Sequence, residues 1–214
     1  MPIVAGIDEA GRGSVLGPLS IALVCGDEDG FTSMELTDSK LLTRNERESL
    51  YPEIRKKFYS SFILVSASEL NMLMPTASLN EIEAMKAAYL LDELPLSPHE
   101  VLVDSPDPHA ANFAHRIRRH TPKGLNLRAE HKADLNYPVV SAASIIAKVL
   151  RDWEIDRIRD ELGHNFSSGY PSDKSTVDAV REMLRTGRGK DYVRMRWSTV
   201  AKILSSQSRL DSYF

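Results

Sequence analysis

Two apolar segments of the sequence run directly into acidic residues, and those acids are its clearest chemical feature. Residues 3–8 end in Asp8, which Glu9 follows, and residues 101–103 lead straight into Asp104. If both segments form neighbouring parallel strands, the two aspartates end side by side. Adjacent carboxylates repel each other unless a cation lies between them, and a hard divalent ion with oxygen ligands fills that role.

A third acid could complete such a site. Asp134 ends a His-Lys-Ala-Asp segment just ahead of a long helical pattern. Four carboxylates from three segments could hold two ions about 3.5–4 Å apart, which activate water and stabilise the leaving oxygen of a phosphodiester. An Asp after a strand is, however, more often a turn or helix-cap residue. From the residues alone, metal-dependent hydrolysis is therefore one of several interpretations.

Asp8 and Glu9 can face one site only if the chain turns at that point. Side chains alternate along a strand, so consecutive residues point to opposite faces. Gly11 and Gly13 follow closely, and glycine permits the backbone conformations that a tight turn requires. The sequence therefore predicts a turn next to the acidic pair.

The elements that position these acids can be predicted from hydrophobic periodicity. We expect strands at 3–8, 19–26, 62–67, 101–103 and 125–129, and helices at 43–58, 78–94, 109–120, 138–162, 175–185 and 198–204. Pro52 should bend or split the first of these helices. Residues 164–174 should form a loop and residues 205–214 a polar segment extended from the body. The strands first cluster and then alternate with helices, which indicates an α/β fold with a mixed sheet.

Composition limits the class of protein. The 214 residues suit one substantial domain with a small appendage, and a net charge of −3 means that any basic surface is local. The single cysteine, Cys25, excludes an internal disulfide framework and fits a reducing compartment. Neither a signal peptide nor an apolar run of roughly 18 residues is apparent, so we expect a soluble cytoplasmic protein.

Six motifs follow one another along most of residues 3–200. They are GIDEAGRG at 6–13, DSK at 38–40, NEIEA at 80–84, Asp104, HKADLNYPVVSAASIIAKVLRD at 131–152 and SGYPSD at 168–173. Together they resemble the ribonuclease HII (type 2 ribonuclease H) family, and its archaeal members in particular. The resemblance implies a ribonuclease H-like fold, with a central mixed five-stranded sheet flanked by helices and a small C-terminal helical extension.

The resemblance also implies an activity and a catalytic set. We expect an endoribonuclease that cuts on the 5′ side of ribonucleotides in RNA/DNA hybrids, and at ribonucleotides embedded in duplex DNA, during replication and repair. The products would carry 3′-hydroxyl and 5′-phosphate ends. Its catalytic and metal-binding residues would be Asp8, Glu9, Asp104 and Asp134, with two Mg²⁺ or Mn²⁺ ions.

Further positions are assigned to substrate binding by their place in the motifs. The Gly11-Arg12-Gly13 loop matches the one whose backbone contacts the ribose 2′-hydroxyl, and Tyr170 matches a tyrosine that packs on the neighbouring sugar. Tyr170 could instead be a half-buried packing residue. Expected phosphate contacts are Lys40, Arg47, Asn80, Lys148 and Arg151.

The sequence departs from the family pattern at two positions and contains two basic stretches. Ser14 stands where relatives often carry proline, and Leu41 where many carry a second lysine. Both differences put in doubt how tightly the adjoining loops bind substrate. Seven Lys or Arg residues between 181 and 202 favour contacts with nucleic-acid phosphates. The basic residues between 116 and 132 are better interpreted as solvated helix faces.

The C-terminal residues resemble a sliding-clamp (PCNA) interaction motif. One helical turn would place Leu210, Tyr213 and Phe214 on one side as an apolar plug, while Gln207 fills a polar pocket. Packing of these aromatics on the protein's own surface is the alternative. We divide the chain into a catalytic domain (1–165), a helical substrate-binding region (166–205) and an extended clamp-binding tail (206–214), and expect a monomer without membrane contact.

Two other functions stay open at this point. One is another nuclease of the same fold that acts on modified or branched DNA, which activity on an all-DNA substrate would support. The other is a non-catalytic adaptor that binds hybrids. The loss of a core carboxylate would favour the adaptor, but all four are present.

Overall fold

A computed structural model describes residues 2–34, 36 and 41–211, with side chains up to residue 206. The described elements, in chain order, are β1 (Ile3–Ala10), β2 (Leu19–Asp27), α1 (Glu28–Thr32), α2 (Arg44–Lys57), β3 (Tyr59–Val65), α3 (Ala67–Leu73), α4 (Leu79–Asp92), β4 (Glu100–Asp104), α5 (Ala110–His120), β5 (Leu127–Glu130), α6 (Ala133–Asn136), α7 (Pro138–Leu162), α8 (Lys174–Thr186), a short 3-10 helix (Lys190–Tyr192) and α9 (Ser198–Asp211). Within the described ranges, no helix has both the length and the apolar character needed to cross a bilayer.

The strands form one five-stranded mixed sheet, as the sequence predicts. Their order is β3-β2-β1-β4-β5. β1 pairs antiparallel with β2 and parallel with β4, and β4 pairs parallel with β5. Ile7 of β1 lies opposite Val103 of β4, so the next residues, Asp8 and Asp104, stand at the same end of neighbouring strands.

The start of α7 packs closely against β1. A Cβ atom added to Gly6 would come within 2.5 Å of the Val139 carbonyl oxygen, which is far below van der Waals contact. Glycine at this position therefore lets the helix backbone approach the strand two residues before Asp8.

The chain divides into two compact units. Unit 1 comprises Met1–Ala10, Ser20–Leu64 and Ala77–Leu150, and unit 2 comprises Gly11–Leu19, Val65–Thr76 and Arg151–Phe214. The core of unit 1 contains residues of β1, β2 and β4 and the first part of α7. The core of unit 2 contains Val15 and Leu16 with apolar residues of α8, α9 and the second part of α7. Our division of the chain at residues 165 and 205 stays a prediction.

Two expectations about helices are corrected, the first of them only in part, because a bend at Pro52 stays a prediction. Pro52 does not split α2, which runs unbroken from Arg44 to Lys57. A capping box between Thr43 and Glu46 and the burial of Tyr51 and Ile54 stabilise the helix. They offset the loss of the backbone hydrogen bond that proline cannot donate.

The other error concerns the end of α9. We expected this helix to end at 204 and an extended segment to follow, but it continues to Asp211. No glycine or proline interrupts it, so nothing in the local sequence stops its propagation.

Candidate active site

Asp8 lies buried near the end of β1, among hydrogen-bond donors. This residue is 5% exposed. Its Oδ1 accepts a hydrogen bond from the backbone N–H of Glu9 at 2.8 Å, and Ser144 of α7 forms a side-chain hydrogen bond with it. The donors and the closeness of α7 to β1 hold this carboxylate in place.

The electrostatic environment of Asp8 is unfavourable for its charged form. Burial, the largest cause, and the nearby charges of Asp104 and Asp134 raise the pKa of Asp8 to about 7. The hydrogen bonds from Ser144 and Glu9 act in the opposite direction but are outweighed. The structure thus brings three of the four predicted acids close enough to interact.

A left-handed turn links Asp104 to Asp134. Lys132 adopts φ 58° and ψ 38°, and among the described residues it is the one non-glycine with positive φ. The next residue, Ala133, donates its backbone N–H to Asp104 Oδ1 at 2.8 Å. Asp134 follows in α6 and is 3% exposed. The turn therefore fixes the orientation of Asp104 and carries the third acid.

Glu9 is placed differently from Asp8. β1 continues to Ala10, so the side chains of Asp8 and Glu9 alternate across the strand, and the turn that we predicted follows at Gly11, with φ 86°. In the described part of the chain, no three His, Cys, Asp or Glu side chains are arranged to hold a metal ion. The acidic, all-oxygen donor set nevertheless suits a hard divalent cation. The metal-binding role of the four acids stays a prediction.

The two predicted ribose-recognition elements lie together in unit 2. A Cβ atom on Gly13 would be in ordinary contact with the Tyr170 ring, at 3.9 Å from Cε1. The Val15 and Leu16 N–H groups both donate to the Gly169 carbonyl, at 2.9 and 3.2 Å. The loop after β1 and the loop that carries Tyr170 thus form one hydrogen-bonded structure.

The predicted phosphate contacts differ in their surroundings. Arg47 donates to the Leu42 carbonyl at 2.7 Å, and Asn80 donates to Asp107. Lys148 is partly buried on α7, and Lys40 lies outside the described residues. Arg151 is only 3% exposed, which argues against the direct phosphate contact that we predicted, and that contact stays untested. Its guanidinium is engaged inside unit 2 instead.

The basic stretches also separate into different groups. Arg116 and Arg119 pair with Glu81, and the Arg119 side chain is largely exposed, so ion pairs lie on the face that we expected to be solvated. Between 181 and 202, Arg181 and Arg185 pair with acids one turn away on α8. The remaining exposed cations of that stretch are Arg188, Lys190, Arg196 and Lys202.

Two supporting residues are not among those that we predicted. Ser144 lies within the long HKAD-containing motif, but a serine in an apolar helix gave no sign of a bond to Asp8. Arg194 belongs to the basic stretch, yet it is fully buried and donates to the carbonyls of Gly17 and Arg12 at 2.9 and 3.2 Å. Its charge is visible in the sequence, whereas its burial is not.

The predicted clamp motif lies at the limit of the described residues. The helical backbone of α9 includes Gln207 and Leu210, whose side chains are outside the description, as are Tyr213 and Phe214 altogether. The motif therefore stays a prediction.

Comparison with known proteins gives consistent matches. The model of the family "Ribonuclease HII" matches residues 5–200. A ribonuclease HII from Archaeoglobus fulgidus is 43% identical over 210 residues, covering 98% of this chain and 99% of that protein. The solved PCNA:RNase HII complex from A. fulgidus matches with a TM-score of 0.83 at 43% identity, over 92% of this chain and 95% of that chain. Ribonuclease H2 from Pyrococcus horikoshii OT3 matches with a TM-score of 0.85 at 39% identity, over 94% and 96%.

Proposed function

The chain belongs to the ribonuclease HII family, and we propose that it cuts the phosphodiester on the 5′ side of ribonucleotides in duplexes with DNA. Substrates would be RNA/DNA hybrids and single ribonucleotides embedded in duplex DNA, with 3′-hydroxyl and 5′-phosphate products. The observation that carries this proposal is the electrostatic interaction of Asp8 with Asp104, at the same end of the neighbouring strand, and with Asp134 of α6. An adaptor without catalytic activity would have no need for such costly buried charge.

We assign Asp8, Glu9, Asp104 and Asp134 as ligands for two Mg²⁺ or Mn²⁺ ions. When bound, the ions would lower the pKa of a water molecule and neutralise charge on the leaving oxygen. The protein's own part is to hold the carboxylates: Ser144 and the Glu9 N–H bind Asp8, and the Ala133 N–H binds Asp104. Held in this way, the acids need little rearrangement before reaction.

Ribose recognition is assigned to the Gly11-Arg12-Gly13 backbone and to Tyr170. A 2′-hydroxyl is both a donor and an acceptor, so fixed backbone groups can recognise it. A site that expects this hydroxyl leaves its polar groups unpaired when deoxyribose binds, which disfavours DNA. The closeness of Gly13 to the Tyr170 ring, where an added Cβ atom would be in ordinary contact, supports a joint role for the two elements.

Phosphate contacts would supply affinity without sequence preference. Lys40, Arg47, Asn80 and Lys148 stay proposed contacts by their place in the motifs. The exposed cations Arg188, Lys190, Arg196 and Lys202 add a second candidate surface.

We further assign PCNA as a partner, bound through Gln207, Leu210, Tyr213 and Phe214. The related A. fulgidus protein forms a complex with PCNA. Helix α9, which reaches Asp211, brings helical backbone into the motif, and helix-in-groove binding needs that conformation. We further propose that the enzyme is a monomer and that it acts in the cytoplasm.

Cleavage of an end-labelled duplex that carries one ribonucleotide tests the proposal, with Mg²⁺, Mn²⁺ or EDTA. We expect one metal-dependent cut on the 5′ side of the ribonucleotide. Asp104→Asn should abolish it, whereas Asp160→Asn, at an exposed position of α7, should not. Cleavage of the matching all-DNA duplex, or binding without turnover, would contradict the proposed function.

A further inference from the structure

We propose that Arg151 is a positioning residue for ribose recognition: its buried guanidinium holds residues 11–17 and Tyr170 in one arrangement and touches no phosphate. The hydroxyl of Ser14 connects the two loops through hydrogen bonds. This inference rests on the proposed role of these two elements in recognising ribose, and it adds a cause for their geometry.

One side chain contacts both loops of the recognition structure. The Arg151 guanidinium donates through Nη2 to Ser14 Oγ at 2.9 Å and to the Ser168 carbonyl at 2.6 Å. Its central carbon lies 4.6 Å from the centroid of the Tyr170 ring. A Cβ atom on Gly11 would come within 2.4 Å of Arg151 Nε, so the Gly11 backbone lies directly against the same side chain.

Ser14 converts these contacts into a connection between the two loops. It is fully buried, and its Oγ lies 2.6 Å from the Leu16 carbonyl and 2.8 Å from the Gly169 carbonyl. A hydroxyl has one proton, so the Leu16 and Gly169 carbonyls share that proton, while a lone pair of the Ser14 oxygen accepts from Arg151. The same Gly169 carbonyl accepts from two backbone N–H groups of the first loop.

The burial of Arg151 argues against the alternative that its side chain binds a phosphate at the surface. Burial lowers the pKa of Arg151, yet an arginine stays charged at any physiological pH. Its hydrogen bonds go to neutral oxygens, and its Nη1 forms an ion pair with Asp152 at 3.6 Å. Arg157 on the same helix shows the ordinary case, since it is exposed and pairs with Glu154 and Glu161.

A second buried guanidinium holds the far end of the segment. Arg194 donates to the Gly17 and Arg12 carbonyls, and its own N–H donates to the Val15 carbonyl. Residues 11–17 are thus held from both ends before any ligand binds. A preordered loop loses less entropy on binding, so its contacts with the 2′-hydroxyl contribute more fully to selectivity.

The test compares Ser14→Ala and Arg151→Lys with the matched control Arg157→Lys. Binding is measured in EDTA, at several salt concentrations, for a duplex with one ribonucleotide and for the all-DNA duplex. Cleavage is then measured with Mg²⁺. We expect both loop variants to lose about tenfold in the preference for the ribonucleotide duplex and in kcat. The salt dependence should be unchanged, and the control should match the wild type.

Three outcomes would overturn the inference. Equal weakening for both duplexes, with a shallower salt dependence, would mean that Arg151 binds a phosphate. Ser14→Ala must first be shown by thermal unfolding to be correctly folded. An unchanged preference of this variant for the ribonucleotide duplex would then mean that the Ser14 hydroxyl has no positioning role. A wild-type protein that neither cuts nor prefers the ribonucleotide duplex would instead refute the proposed function, and this inference with it. Ser14→Ala keeps the test decisive if Arg151→Lys does not fold.

Discussion

Replacing Asp8 by asparagine should stabilise the metal-free protein at neutral pH while it abolishes cleavage. Burial and the charges of Asp104 and Asp134 make the ionised form of Asp8 costly in the folded state. Asparagine has nearly the same shape, carries no charge, and can still accept the hydrogen bond from the Glu9 N–H. The substitution therefore removes the electrostatic cost and little of the packing.

The size and pH dependence of this effect follow from the shift in pKa. The pKa of Asp8 rises from 3.8 to about 7 on folding, which corresponds to about 4 kcal/mol once both states are ionised. Because the folded pKa is the higher one, the unfolded chain loses its proton first, and wild-type stability falls as the pH rises from about 4 to 7. Below pH 4 both states are protonated, and the advantage of Asp8→Asn should disappear.

Thermal unfolding in EDTA, followed by circular dichroism from pH 3 to pH 8, measures this difference. At pH 8 we expect the Tm of Asp8→Asn to exceed that of the wild type by roughly 10 °C. Added Mn²⁺ should raise the Tm of the wild type and not that of the variant.

Asp173→Asn is the control of opposite sign. Hydrogen bonds, that from the Ser168 backbone first, lower the pKa of Asp173 to about 2. Its contribution to stability is therefore present above pH 4 and is lost as the pH falls through 2, so Asp173→Asn should be less stable at neutral pH. If Asp8→Asn were destabilised equally at every pH, the idea of an electrostatically strained Asp8 would be wrong.

Three further changes have defined outcomes. Lys132→Gly should stabilise the protein by about 0.5–1 kcal/mol in urea unfolding, because glycine adopts the left-handed conformation without the cost of a Cβ atom, whereas Lys132→Val should destabilise it; the reverse order would exclude strain at this turn. Gly6→Ala should cost more than about 2 kcal/mol, because its Cβ would meet the backbone of Val139, and unchanged unfolding would contradict this close approach. Deletion of residues 207–214 should abolish binding to PCNA in calorimetry and leave cleavage without PCNA unchanged, and retained binding would place the contact elsewhere.

The sequence contained enough information to predict the sheet and most of the acidic set. A strand buried on both faces reads as a continuous apolar run, which is why residues 3–8 and 101–103 were identifiable. Their parallel pairing was only a condition of the prediction, because a long connection permits a parallel pair without requiring one. The position of Asp134 beside the other acids depended on the family motif, because an aspartate before a helix has many ordinary uses.

What the sequence did not predict depends on contacts between distant residues. Arg151 and Arg194 resemble surface cations in any one-dimensional pattern, and only the folded chain shows that carbonyl groups of residues 11–17 and 168 surround them. The conformation of Lys132 had no local signal, since lysine rarely adopts positive φ. Pro52 shows the converse, because capping and burial outweigh a residue that normally ends a helix.

Both units contain buried charge that lowers the stability of the unliganded protein. Ionisation of Asp8 is costly in unit 1, and Arg151 in unit 2 is desolvated, with hydrogen bonds to neutral oxygens and an ion pair with Asp152 at 3.6 Å. A core selected for stability alone would replace such groups by apolar ones of similar volume. Two buried charges of opposite sign suit the proposed function. The protein must bind cations at its carboxylates, and it must hold a loop in order for a polyanionic nucleic acid. The stabilisation expected for Asp8→Asn and the loss of selectivity expected for Ser14→Ala therefore test two consequences of one principle, which is that this fold retains strain where its ligands bind.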